Sequence, residues 1–84
     1  MSSYEVEFSN AQCDEDDLIN DIREAFARAG YQVGDCSTIT RDFDTGTACI
    51  EIHGDEVDIL NDPRDFGWNG IEVTIVGLYD GDLI

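Results

Sequence analysis

The chain contains no lysine, and its four arginines (Arg23, Arg28, Arg41, Arg64) face 20 aspartates and glutamates, a formal net charge of −16 over 84 residues. The basic stripe that neutralises phosphates is absent, which excludes direct binding to DNA, RNA or an anionic membrane. No apolar run approaches the roughly 20 residues that span a bilayer, and the start "MSSYEVEFSN" has neither a basic nor an apolar leader segment. A soluble, cytoplasmic protein is expected. Cys13, Cys36 and Cys49 make an odd count without the close pair spacings of a zinc ribbon or redox motif, so they read as buried, reduced thiols.

Histidine occurs once, at His53, which leaves little for catalysis. Cys49 and His53 share a strand face, but four residues of strand separate them by about 13 Å, too far for a nucleophile–base hydrogen bond or a shared metal. The segment "DFDTGTACIEIH" fails as a calcium loop counted from Asp42: glycine falls fifth instead of sixth, and His53 stands where a bidentate glutamate is required. With no phosphate-cradling glycine loop either, no enzyme, metal site or cofactor is expected.

What the chain does have is 42% apolar residues gathered in patterned runs, which argues for a folded acidic domain instead of a solvated tail. "SYEVEFS" alternates Tyr4, Val6 and Phe8 with Glu5 and Glu7, a strand with an acidic outer face. "DEDDLINDIREAFARAG" spaces Leu18, Ile19, Ile22, Ala25, Phe26 and Ala29 by threes and fours, an amphipathic helix capped by Asp14 and ended by Gly30. "YQVGDCSTITRDFDTGTACIEIHGD" predicts two strands with a turn at Gly46, Ile39 and Phe43 facing inward on the first and Ala48, Ile50 and Ile52 on the second. Val57, Ile59 and Leu60 suit one or two helical turns that Pro63 stops.

The final strand "GIEVTIVGLYDGDLI" puts Ile71, Val73, Ile75 and Tyr79 on one face and Glu72, Thr74, Val76 and Leu78 on the other. Apolar character on both sides implies a central strand, a covered one or a dimer contact, to which Leu83 and Ile84 would add, so monomer and homodimer both stay open. The expected architecture is a single α+β domain over residues 1–84: an amphipathic helix packed on a mostly antiparallel sheet of about four strands, in the order β-α-β-β-(short α)-β, with a ferredoxin-like arrangement among the compatible topologies.

Two acidic arrays stand out. Asp14, Asp17, Asp21 and Glu24 share one side of the helix. Asp55, Glu56, Asp58, Asp62 and Asp65 crowd the segment "DEVDILNDPRDF", with Phe66 and Trp68 beside them as candidate aromatic anchors. An ordinary solvated face mixes signs and uses lysine, so the total requires a global explanation. In size, charge and lack of a catalytic set the chain resembles, at the level of class, the small acidic phage inhibitors of anti-CRISPR and anti-restriction type that mimic nucleic acid. The stretch "DDLINDIREAFARAGYQV", about a fifth of the chain, is also similar to a helix and strand in that class, and no functional residue is carried over from it. The resemblance implies a DNA-mimicking inhibitor whose partner is a basic nucleic-acid-binding protein or nuclease complex. The competing explanation is a small binding or regulatory domain adapted to high intracellular salt, which the 13 aspartates against seven glutamates also fit.

Overall fold

The computed structural model describes residues 2–61 and 66–79, with Glu56 and Val57 described by backbone alone. The elements run β1 (Ser2–Ser9), α1 (Glu15–Arg28), β2 (Gln32–Asp42), β3 (Thr45–His53), α2 (Glu56–Leu60) and β4 (Glu72–Leu78). The strands form one antiparallel sheet in the order β2-β3-β1-β4. Strands β1 and β2, joined through α1, do not pair, because β3 lies between them; β1 in turn separates β3 from β4. This is the ferredoxin-like arrangement, with the second helix reduced to five residues.

Period-2 alternation places Tyr4, Val6 and Phe8 of β1 and Ala48, Ile50 and Ile52 of β3 on the covered face. Onto them α1 lays Leu18, Ile22, Ala25 and Phe26, while α2 contributes Ile59 and the segment before β4 contributes Phe66 and Ile71. Each large apolar side chain buried this way contributes about 1.5–3 kcal/mol relative to exposure, which counters the self-repulsion of the charges. The Asp14 carboxylate caps α1 by accepting from the Asp17 backbone N–H at 3.1 Å. Gly30, at φ 104°, turns the chain out of the helix.

Two sequence expectations are corrected and a third is narrowed. The β2–β3 turn is at Phe43–Asp44, not at Gly46, which lies inside β3. Gly46 is required for another reason: a Cβ there would stand 2.2 Å from the Thr40 carbonyl oxygen and 2.8 Å from the Phe8 ring. Ile39 and Phe43 do not face inward; Ile39 is 39% and Phe43 90% exposed. Register shifts between Val33 and Cys36, and again between Thr38 and Thr40, break the alternation of this edge strand, so Val33 and Cys36 pack on the core instead. Finally, of the three alternatives open for the last strand the central position is excluded, because β4 is an edge strand. A shift against Glu5/Val6 pairs Leu78 with Tyr4, which moves Leu78 off the outer face and leaves Val76 53% exposed. The expectations for Pro63, Leu83 and Ile84 lie outside the described residues.

Candidate functional site

The helix array does not behave as one uniform row. Asp14 is committed to the cap, and its charge is the main reason that the Asp17 carboxyl is pushed above its ordinary range, with slight burial, Asp21 and Asp16 adding to it. Asp21 turns toward the loop before β4 and accepts from Asn69 Nδ2 at 3.1 Å. Glu24 pairs with Arg28 at 3.7 Å, the one ion pair among the described residues.

The second array divides differently. Asp55 is exposed on the β3–α2 connection and Asp58 on α2, Glu56 is described by backbone alone, and Asp62 and Asp65 lie outside the described residues. Phe66 is not an anchor: it is 3% exposed and stacks on Phe26 with ring centroids 4.4 Å apart, because the core under α1 needs an aromatic to close it. Trp68 is half-buried against that core, and the Arg28 guanidinium covers its ring at 3.8 Å. The arginine thereby serves the fold as well as pairing with Glu24.

Two surfaces carry more than the sequence reading gave them. All of the described helix packing falls on one side of the sheet, and the other side is polar. There Glu5 and Glu7 alternate outward on β1, Glu51 lies opposite Ser3 on β3, and Glu72 lies opposite Ser9 on β4, accepting from Ser9 Oγ at 3.0 Å. Strand geometry steps these carboxylates along β1 at about 7 Å intervals, the order of the separation of successive phosphates along a nucleic-acid strand. Alternation of Glu with apolar residues in "YEVEF" was the signal for half of this row; the rest required the strand order.

The second surface is the β2–β3 tip. Phe43 stands at φ 56°, a left-handed backbone unfavourable for a bulky residue by about 1–2 kcal/mol, with its ring in solvent between Asp42 and Asp44. Arg41 holds this conformation: Nε donates to the Phe43 carbonyl at 3.3 Å, and Nη2 donates to the carbonyls of Ala11 and Cys13. The Asp44 carbonyl accepts from the Ala11 N–H at 3.0 Å, and Thr45 Oγ1 donates to the Asp42 carbonyl at 3.0 Å. The tip is thus a strained, exposed aromatic held by a clamped backbone. The tip is bonded to the β1–α1 connection, which leads into the cap and first turn with Asp14, Glu15, Asp16 and Asp17.

His53 is exposed at the end of β3, and among the described residues no three His, Cys, Asp or Glu side chains are gathered to hold a metal ion. The Cys36 thiol is pushed up to about 12, by burial first and the neighbouring Cys49 second, with Arg23 acting weakly against both; such a thiol is a poor nucleophile. Among the described residues no helix is long and apolar enough to cross a membrane. Comparison with protein-family models, curated proteins and solved structures finds no match.

Proposed function

We propose that the protein is a stoichiometric inhibitor, not an enzyme, which binds a basic nucleic-acid-binding surface of a bacterial defence nuclease complex in the cytoplasm and keeps nucleic acid from it, as an anti-CRISPR-like DNA mimic of phage origin. The observation that supports this reading is the row formed by Glu51, Glu5, Glu7 and Glu72, set at near-phosphate spacing on a rigid sheet with no described cation paired to it. Carboxylates held at such intervals meet the lysines and arginines of a phosphate groove without the entropy cost that a flexible acidic tail incurs. Phe43 on its clamped tip adds an apolar contact of the kind that concentrates binding energy.

The test is competition. Labelled duplex DNA bound to candidate defence nuclease complexes should be displaced at one protein per site, with displacement weakening steeply between about 50 and about 200 mM salt. Charge reversal of Glu5, Glu7 and Glu51 should abolish it, and reversal of Asp55, Asp58 and Asp62 tests the second acidic segment separately. Undiminished displacement by both variants would sink the mimicry reading.

A second reading is favoured by the spread of charge. Exposed carboxylates occur on α1, the open sheet face, the Phe43 tip and the β3–α2 connection, as a domain adapted to molar salt requires. Such a domain gains structure on titration with potassium chloride, whereas a mimic is fully folded in dilute buffer; circular dichroism separates the two.

A further inference from the structure

Beside α1 lies an open cleft of about 500 Å³ whose walls come from two loops. One is the β1–α1 connection, where Asn10 at φ 63° and a Gln12 N–H to Asn10 carbonyl bond of 3.1 Å set the chain in a tight turn. The other is the turn before β4, where Asn69 and Gly70 at φ 55° and 85° sit between Trp68 and Ile71, which exchange backbone bonds of 3.0 and 3.1 Å. Two successive left-handed residues in an Asn-Gly pair make a type I′ turn, a well-defined geometry. Asn69 Nδ2 then ties this turn to Asp21 on α1.

The lining offers one carboxylate, on Asp21, and three carboxamides, on Asn10, Gln12 and Asn69, each of which has an acceptor oxygen. Asp21 keeps its second carboxylate oxygen without a partner among the described residues, Asn69 keeps its carbonyl oxygen, and the side-chain amides of Asn10 and Gln12 make no hydrogen bond within the described protein. The local field is negative. The Cys13 thiol in the same wall is pushed above its ordinary range, by burial first and by Asp21 next, with Asp17 adding and Arg41 opposing.

A negative field rules against an anion, and amide oxygens beside one carboxylate favour a cation that donates in more than one direction. A planar cation with several N–H donors in fixed directions suits the arrangement: one N–H toward Asp21 and others toward the carboxamide oxygens of Asn69, Asn10 and Gln12. We propose that this cleft is a guanidinium-binding site that takes an arginine side chain of the partner protein. The assignment rests on the inhibitor reading for the identity of that partner, but not for the chemistry of the site. Arg28 and Arg41 do not compete for it, being committed to Trp68 with Glu24 and to the carbonyls of Ala11, Cys13 and Phe43 respectively.

The site is tested without any partner, by titrating ¹⁵N-labelled protein at low salt with N-acetyl-arginine methylamide and, in parallel, N-acetyl-lysine methylamide. The expected result is saturable shifts at the side-chain amides of Asn10, Gln12 and Asn69 and at Gly70, several-fold tighter for the arginine probe. Asp21→Asn should weaken the arginine probe about tenfold, and Asn10→Gly, which keeps the left-handed backbone, should weaken it less. Equal response to the two probes, shifts spread evenly over all surface carboxylates, or unchanged affinity in Asp21→Asn would each overturn the assignment. DNA displacement from a nuclease complex reads the inhibitor reading independently, so failure of one does not imitate failure of the other.

Discussion

Arg41 Nη2 donates to the main-chain carbonyl of Ala11 across 2.7 Å, which fastens the β2–β3 tip to the connection that leads into α1. The same side chain serves Cys13 and Phe43, so one cation satisfies three carbonyls on two segments 30 residues apart in sequence. In a chain so short of positive charge, an arginine placed there fixes structure instead of relieving repulsion.

Arg41→Ala should therefore cost more than an exposed surface substitution. Loss of charge-assisted bonds to carbonyls, one of them partly buried, predicts about 1.5–3 kcal/mol of destabilisation in urea unfolding. Arg41→Lys retains the charge but not the fork of donors, and is expected to recover less than half of the loss. A change below about 0.5 kcal/mol in Arg41→Ala, the range of ordinary surface positions, would show that the tip does not depend on the clamp.

Phe43 gives a prediction in which stability and function part company. Replacement by glycine removes a ring that is in solvent and relieves a left-handed backbone, so unfolding stability should be unchanged or higher by up to about 1 kcal/mol. Displacement of DNA from the target should weaken at least tenfold if the ring fills a pocket on the partner. A destabilised Phe43→Gly would mean that the ring packs on the protein after all.

Gly46 and Gly77 make a matched pair. Alanine at Gly46 drives a Cβ into the Thr40 carbonyl and the Phe8 ring, whereas at Gly77 nothing stands within 4 Å. Gly46→Ala is expected to destabilise by more than about 2 kcal/mol, through a backbone shift at a core strand, and Gly77→Ala by less than about 0.5 kcal/mol. Thermal unfolding of both variants reads the contrast directly.

Elements with clean periodicity were legible in the chain: β1, α1 with its Asp14 cap, the inward residues of β3 and the short α2. Strand β2 was not, because its two register shifts, whose causes lie in pairing with β3, take Ile39 off the inward face, and because the strand ends at Asp42 and leaves Phe43 in the turn. The Phe66 assignment failed for a related reason. Its neighbours in sequence are acidic, but its neighbours in space are Phe26 and Tyr31, and only the latter decide whether an aromatic is an anchor or core. The Asn69-Gly70 pair is a turn signal, but no strand pattern precedes it in the sequence to mark a hairpin.

Asp17 isolates the electrostatic strain of the helix array. Its carboxyl is raised mainly by Asp14, so the folded state disfavours its charge: the contribution to stability is full below the ordinary carboxylate value of 3.8 and is lost as pH rises through the raised one. At neutral pH Asp17→Asn should then melt at a higher temperature than the parent in dilute buffer, while the difference shrinks in 1 M salt, where the Debye length falls to about 3 Å. The cap survives, because the bond to Asp14 comes from the backbone N–H of residue 17. An equal or lower melting temperature in dilute buffer would mean that the favourable position at the helix start outweighs the repulsion.

Cys36 carries the last prediction, at the other end of the pH scale. In the unfolded chain this thiol ionises near its ordinary value of 9.0, whereas burial between β2 and the core holds it protonated up to about 12. Between those values the unfolded state binds fewer protons than the native state, so the stability that the raised thiol confers is complete below pH 9 and drains away as pH climbs toward 12. Urea midpoints measured from pH 8 to 11 should fall more steeply for the parent than for Cys36→Ser, which has no group titrating in that window and retains most of the side-chain volume. Tyrosine ionisation is common to both proteins and cancels in the comparison. Parallel pH profiles would show that Cys36 titrates at its ordinary value in the folded protein and that β2, despite its irregular register, leaves the thiol open to water.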